Sequence, residues 1–235
     1  MSAPEPAKKP TPARRPLPAD FSDAVQDYLR EIFKLQRTGS PVKTSTLARR
    51  MGVTPPSATA MVKKLAALGL ADHQLYRGVR LTRAGERIAL EVIRHHRLLE
   101  LYLTETLDVG LDEVHAEADR LEHGLSEELE ARIDAMLGSP AHDPHGDPIP
   151  DANLRILRSE ARPLTTLEPG EHATVERVPD GDGELLRYLA TLALLPRERI
   201  QLLHAAPFGG PLTIRVAGRE IAISRQLAAQ IDIVD

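Results

Sequence analysis

The sequence contains no cysteine and no tryptophan. Without thiols, disulfides, zinc ribbons, thiolate catalysis and iron–sulfur clusters are excluded. Only seven residues are aromatic, four Tyr and three Phe, which argues against base-stacking recognition of single strands or RNA. Long apolar runs are also missing. The longest, Leu185 to Leu195, is interrupted by Arg187 and falls far short of the roughly 20 residues that a bilayer span needs. No apolar segment follows the basic N-terminus, so no secretory signal is read there and a cytoplasmic protein is expected. What remains is normal for a folded chain: 235 residues, 42% apolar and 27% charged, a length that suits one to three domains.

The net charge of −4 hides an asymmetry. Residues 1–20 carry +2, residues 21–83 carry +7, residues 84–152 carry −12 and residues 153–235 carry −1. A basic segment beside a strongly acidic one fits a polyanion-binding module joined to a module that holds cations. Two ordinary solvated surfaces would give the same distribution.

Residues 1–20, with six prolines among Lys8, Lys9, Arg14 and Arg15, read as a disordered basic tail. A helix is expected from Ser22, with Val25, Leu29, Ile32 and Phe33 at helical spacing and a stop at Thr38-Gly39-Ser40-Pro41. Thr44 to Met51 is a second helix, broken by Gly52. Thr54 caps a third, whose Pro55 and Pro56 sit where no intrahelical N–H is needed. Its apolar face is Ala58, Met61, Val62 and Leu65, and Gly69 closes it. Leu70 to Thr82 reads as a hairpin turning near Arg77-Gly78. This order is the winged helix-turn-helix layout. The free face of the third helix offers Thr54, Pro56, Ser57, Thr59, Ala60, Lys63 and Lys64 to base edges and phosphates in a major groove, and the hairpin offers Arg77 and Arg80 to the flanking backbone. A plain three-helix core unit is the alternative.

The acidic middle is helical: one long helix from Thr82 to about Leu107, a second from about Asp112 to Glu122 and a third from Ser126 to Leu137. Amphipathic helices of this kind commonly form a dimer interface. His96 and Glu100 lie at i and i+4, so one cation can touch both. His115, Asp119, Glu122 and His123 fall within a helical sector about 100° wide. Two imidazoles and two carboxylates on one face suit a divalent ion harder than Cu(I): Mn(II), Fe(II), Co(II) or Zn(II). His142 and His145, in a loop rich in Pro, Asp and Gly, are expected to be exposed. His95 reads as a neighbour of a ligand. His73, His172 and His204 have no partner at useful spacing.

In the last third, period-2 strands are expected at 174–178, 200–203, 212–216 and 220–223, with a helix at 184–194 between the first two. These make a small SH3-like β-barrel with no nucleophile constellation. Its acidic loop, Asp180 to Glu184, could lend a cation ligand.

Taken together, these segments resemble the DtxR/MntR metal-dependent transcriptional repressors across about residues 21–235. The resemblance is carried by Asp27-Tyr28-Leu29, Thr54-Pro55-Pro56-Ser57, Leu81-Thr82-Arg83-Ala84-Gly85 and His96-Arg97-Leu98-Leu99-Glu100. The run from Val114 to His123 and the loop Asp143 to Pro150 carry it further, and Leu167 to Glu171 with Gly209 to Leu212 look like the FeoA/SH3-like module of the longer members. The resemblance implies a mainly α fold with a C-terminal β domain. Its parts are a winged helix-turn-helix (21–83), a helical metal-binding and dimerisation domain (84–152), a linker (153–162) and a small SH3-like barrel (163–235), after the tail at 1–20. It implies one metal site at Asp27, Asp119, Glu122 and His123, and a second at His96, Glu100 and His115. Iron-responsive members place a Met and a Cys where this chain has Asp27 and Asp119. Carboxylates at both positions harden the site toward Mn(II). A further carboxylate that manganese-type members place three residues after the first Asp is Arg30 here, and Glu31 points elsewhere, so separated sites are expected.

The implied function is a homodimeric regulator that binds a double-stranded DNA operator and represses metal-uptake genes when metal is bound. It has no membrane partner, no small organic substrate and no enzymatic activity. Mn(II) is the expected ion and Fe(II) the alternative, with Zn(II), Co(II) or Cd(II) as substitutes in vitro. The competing readings are a hydrolase using the same ligands to activate water and a winged-helix repressor indifferent to metal.

Overall fold

The structure, a computed structural model, describes residues 21–36, 41–74, 77–157 and 159–235. The expected basic tail and the Thr38-Gly39-Ser40 stop lie outside them. The chain divides into two compact units, Met1–Val92 with Leu125–Ala131 and Ala152–Arg155, and Ile93–Gly124 with Arg132–Asp151 and Ile156–Asp235.

The first unit begins with α1 (Asp23–Gln36), α2 (Thr44–Arg50) and α3 (Pro55–Ala67). Spacings of three and four residues turn Val25, Tyr28, Leu29 and Ile32 of α1 inward. Thr54 stays in extended backbone and accepts a hydrogen bond from the Ser57 N–H, with prolines in the first turn behind it, so α3 starts where the sequence indicates. Ala58, Val62 and Leu65 of α3 share a core with Leu47 and Ala48 of α2. The hairpin pairs β1 (Ala71–Gln74) with β2 (Gly78–Leu81) in antiparallel register, Ala71 opposite Leu81. The long helix α4 (Arg83–Leu107) follows. Thr82 joins hairpin to helix: its hydroxyl donates to the Gly69 carbonyl and accepts from the Gly85 N–H. Gly85 is required there, since a Cβ would stand 2.0 Å from the Leu70 carbonyl oxygen.

Further along lie α5 (Val114–Leu121), a 3-10 turn (Glu122–Gly124) and α6 (Glu127–Met136). The expected helix over 112–122 is therefore shorter at both ends, and Glu122 and His123 sit on a tighter turn. Residues 153–162 contain turns and no helix among the described positions.

The C-terminal part of the second unit is a six-stranded antiparallel sheet in the order β3-β8-β4-β5-β6-β7. Its strands are β3 (Arg162–Pro163), β4 (His172–Arg177), β5 (Arg199–Ala205), β6 (Leu212–Val216), β7 (Arg219–Ile223) and β8 (Asp232–Val234). Helix α7 (Gly183–Thr191) lies between β4 and β5, and α8 (Arg225–Ala228) between β7 and β8. Inward residues such as Val175, Ile200, Leu202 and Ile214 pack with Leu186 and Leu189 of α7. Four strands and α7 follow the sequence pattern, while β3, β8 and α8 add to it.

Candidate metal centre

His96 and Glu100 stand one turn apart on α4, and helical geometry alone brings His96 Nε2 to 2.9 Å from Glu100 Oε1. The other ring nitrogen, Nδ1, lies 2.7 Å from Glu122 Oε2 and 3.4 Å from Asp119 Oδ1. His115 on α5 completes the cluster, its Nδ1 2.9 Å from Glu100 Oε1 and 3.0 Å from His96 Nε2. The two rings meet edge-on at 4.7 Å. His123 Nε2 is 3.4 Å from Glu122 Oε1. The single imidazole of His96 thus touches residues of both ligand groups that the sequence resemblance separates.

The electrostatics match this crowding. Burial opposes a charge on His96, yet the pull and hydrogen bonds of Glu100 and Glu122 win and raise its pKa to about 9. Burial likewise opposes ionised Glu100, but His96, His115 and His145 hold it well below the ordinary carboxylate range.

The neighbouring loop departs from the sequence reading. His142 is exposed as expected, but His145 is 0% exposed. Its backbone N–H donates to Asp143 Oδ1, its carbonyl accepts from the Val178 N–H, and its Nε2 lies 3.2 Å from the Leu111 carbonyl oxygen. A carbonyl only accepts, so Nε2 carries a hydrogen; burial opposes a charge on His145, but Glu100 facing the ring wins and raises its pKa. Nδ1 stands 3.6 Å from Glu100 Oε2, and both atoms are buried without a hydrogen-bond partner. Burial, then the charges of Glu100 and Asp147, push the Asp143 carboxyl well above its ordinary value. One ligand atom from each of Glu100, Asp143 and His145 lies within 4.8 Å of the others, as is also true of His96, His115 and Asp119. Buried polar atoms are nearly always hydrogen-bonded, whereas these two meet only as an ion pair at 3.6 Å.

Sequence pattern does not reveal the burial of Asp143 and His145, because Pro, Asp and Gly are solvent signals. Gly146 was the available signal: its φ is +91°, and a Cβ there would fall 1.7 Å from the Glu176 carbonyl oxygen. A glycine that lets a loop press against a strand indicates burial. Of the acidic loop candidates, Asp182 caps α7 by accepting from the Glu184 and Leu185 N–H groups, and Glu184 is exposed. The charge of Asp180 acts on His145.

In the first unit, Asp27 is half-buried on α1, 3.8 Å from the Arg30 guanidinium. Glu31 turns to Arg50 of α2, whose Nε donates to it at 2.8 Å. Along α3, Thr54, Pro56, Ser57, Ala60, Lys63 and Lys64 are exposed, as are Arg77 and Arg80 of the hairpin. The Thr59 hydroxyl donates to the Pro55 carbonyl and is half-buried, so it has less to offer a base than the sequence reading assumed. Among the described residues, no helix is long and apolar enough to cross a membrane.

Three family models match. Residues 20–79 fit the iron dependent repressor N-terminal DNA binding domain, residues 82–151 its metal binding and dimerisation domain, and residues 162–235 the FeoA domain. The iron-dependent repressor IdeR of Mycobacterium tuberculosis is 32% identical over 218 residues, 84% of this chain and 90% of that protein. A solved manganese-dependent transcriptional repressor in complex with manganese superposes with a TM-score of 0.83 at 40% identity, covering 90% of this chain and 99% of the other. The structure of ScaR with bound Zn2+ gives 0.76 at 31% identity, covering 89% and 98%. The chain therefore belongs to the DtxR/MntR family of metal-dependent transcriptional repressors.

Proposed function

We propose that this repressor responds to Mn(II), binding operator DNA as a homodimer when the metal is bound. The observation that carries the reading is the buried, unpartnered pair Glu100 Oε2 and His145 Nδ1, within donor groups made only of imidazole and carboxylate. With no cysteine in the chain, every candidate ligand is nitrogen or oxygen, which favours Mn(II) or Fe(II) over softer ions. When bound, such an ion supplies the positive charge that converging carboxylates need. Glu100, Asp143 and His145 would hold one ion, with Asp180 as a further ligand, and His96 and His115 stand beside them. Following the family resemblance, Asp119, Glu122 and His123 would hold another together with Asp27.

The residues then do the rest. Asp27 lies on the helix that opens the DNA-binding unit, and Asp119 and Glu122 lie far from it in sequence. Sharing ligands between them restricts the arrangements in which α3 can be presented, and the arrangement fitted to successive major grooves is favoured. Lys63 and Lys64 meet phosphates, and the exposed small side chains of α3 approach base edges.

The test is fluorescence-anisotropy titration of a duplex selected by the protein from a random pool, with Mn(II), Fe(II), Zn(II) and Co(II) side by side and a chelator control. Tightest DNA binding with Mn(II) at matched free metal supports the reading. Stronger activation by Fe(II) assigns iron instead, and binding unaffected by chelator overturns metal dependence. Asp119→Ala is expected to fold normally and to lose metal-dependent DNA binding.

A further inference from the structure

We propose that Arg177, at the end of β4, is a positioning residue for the Glu100–Asp143–His145 cluster, acting through Asp147. The inference rests on the reading of that cluster as a metal site. Asp143 and His145 come from a loop whose only ladder contact among the described residues is the bridge between His142 and Pro148. The loop closes on itself: Asp143 Oδ1 accepts from the N–H groups of His145 and Asp147, each at 2.9 Å, and the Asp143 N–H donates to the Asp147 carbonyl at 3.0 Å. These bonds set the shape of the turn but not its position.

Arginines set the position, with Arg94 Nη1 of α4 donating to the Pro150 carbonyl at 2.7 Å and Arg97 Nε lying 3.5 Å from Asp143 Oδ2. From α4, Arg97 donates through Nη1 to the Pro148 carbonyl at 2.6 Å and through Nη2 to Asp147 Oδ1 at 2.9 Å. From the sheet, Arg177 Nη1 lies 3.8 Å from the other oxygen, Asp147 Oδ2. Arg177 is itself held by Asp232 of β8, with Nε donating at 2.8 Å and Nη2 at 2.7 Å from Oδ2. The pairing of β4 with β8 shifts register between Val175 and Arg177. A bulge of this kind re-aims a side chain, and here it sets Arg177 opposite Asp232. Asp147 is only 6% exposed, so its charge needs both cations. The loop also meets the sheet through the Val178 N–H to the His145 carbonyl at 2.9 Å, through His142 Nε2 at 3.6 Å from Glu176 Oε1, and where Gly146 packs on the Glu176 carbonyl, but none of these contacts reaches the Asp147 carboxylate. Without Arg177 the loop keeps its shape but the Asp147 side of the turn is released from the sheet, and its donor atoms move relative to Glu100. Removing a group that orients metal ligands typically lowers affinity 10- to 100-fold.

The experiment titrates metal-free full-length protein with Mn(II) alone, reading free Mn(II) by electron paramagnetic resonance, with thermal unfolding of the metal-free protein in parallel. Arg177→Gln is expected to weaken one class of Mn(II) site by roughly tenfold or more, with full stoichiometry at saturation, and to lower the metal-free melting temperature because Asp147 and Asp232 each lose a cation. Arg177→Lys should recover part of the loss. Asp143→Asn, which keeps the backbone hydrogen bonds, reports on the cluster itself. If Asp143→Asn weakens Mn(II) binding and Arg177→Gln does not, the positioning role is overturned and the metal site stands. If Asp143→Asn leaves every Mn(II) class unchanged, the metal reading of the cluster fails and takes the positioning role with it. A fall in metal-free melting temperature that Arg177→Lys does not repair would assign Arg177 to the fold and not to the site.

Discussion

Along α3 of the first unit, Ser57, Lys63 and Lys64 stand in solvent above a core of Ala58, Val62 and Leu65, whereas in the second unit His96, Glu100, Glu122, Asp143 and His145 are buried. The same kinds of side chain serve opposite ends. An exposed lysine loses no hydration until a partner arrives, and so suits an external polyanion. A buried carboxylate loses its hydration on folding and must be compensated from within. Imidazoles compensate in part here, and the atoms left over, Glu100 Oε2 and His145 Nδ1, show where compensation is incomplete. The first unit presents charge to solvent, and the second buries it; on the proposed reading, that buried charge is held for an ion.

The sharpest way to break this contrast is to remove the carboxylate that faces three imidazoles. Glu100→Ala is expected to destabilise the metal-free protein by about 4 kcal/mol, because buried His96 loses its main counter-charge. It should also abolish one class of Mn(II) binding, measured by urea unfolding and metal titration. A loss below about 1 kcal/mol would mean that the cluster is not compensated as described.

A change of pH reads the same compensation without mutation. The folded pKa of His96 is raised to about 9, above its ordinary 6.5. Its contribution to metal-free stability is therefore fully present below pH 6.5 and is lost as pH rises through about 9, an effect of about 3 kcal/mol. Glu100 runs the other way: its folded pKa is depressed, so its contribution is lost on acidification below the carboxylate range. Metal-free melting temperatures should form a plateau between these limits. His96→Gln should flatten the alkaline limb, and an unchanged limb would show that His96 does not carry it.

The smallest expected effect lies in the first unit. Thr54→Ala removes the cap of α3 and should cost about 1 kcal/mol, lowering DNA affinity while leaving Mn(II) affinity measured without DNA unchanged. A parallel loss of Mn(II) affinity would erase the division of labour between the units.

Legibility differed between the two regions for a physical reason. The winged helix could be read because its signals are local: a Thr cap, prolines in the first turn, a glycine stop and inward residues at regular spacing. The clustering of His96, Glu100, His115 and Asp119 on α4 and α5 is legible from helical period for the same reason. Glu122 and His123 were placed on a regular helix, but α5 ends at Leu121 and a 3-10 turn carries them. That tighter turn is where Glu122 Oε2 meets His96. His145 was read as exposed, since nothing local says that a Pro- and Asp-rich loop will be pressed against β4. Its burial follows from contacts with Val178, Leu111 and Glu100, all distant in sequence. Strands β3 and β8, two and three residues long, are too short to show a period, and they form by pairing with each other and with β4.

If metal and DNA are bound by coupled units, isothermal titration of Mn(II) with and without the selected duplex reads the coupling itself. Linkage requires each ligand to tighten the other by the same factor. Mn(II) is expected to bind at least fivefold more tightly in the presence of DNA, about 1 kcal/mol of coupling, and Asp119→Ala to abolish the difference. Equal Mn(II) affinity with and without DNA would contradict it.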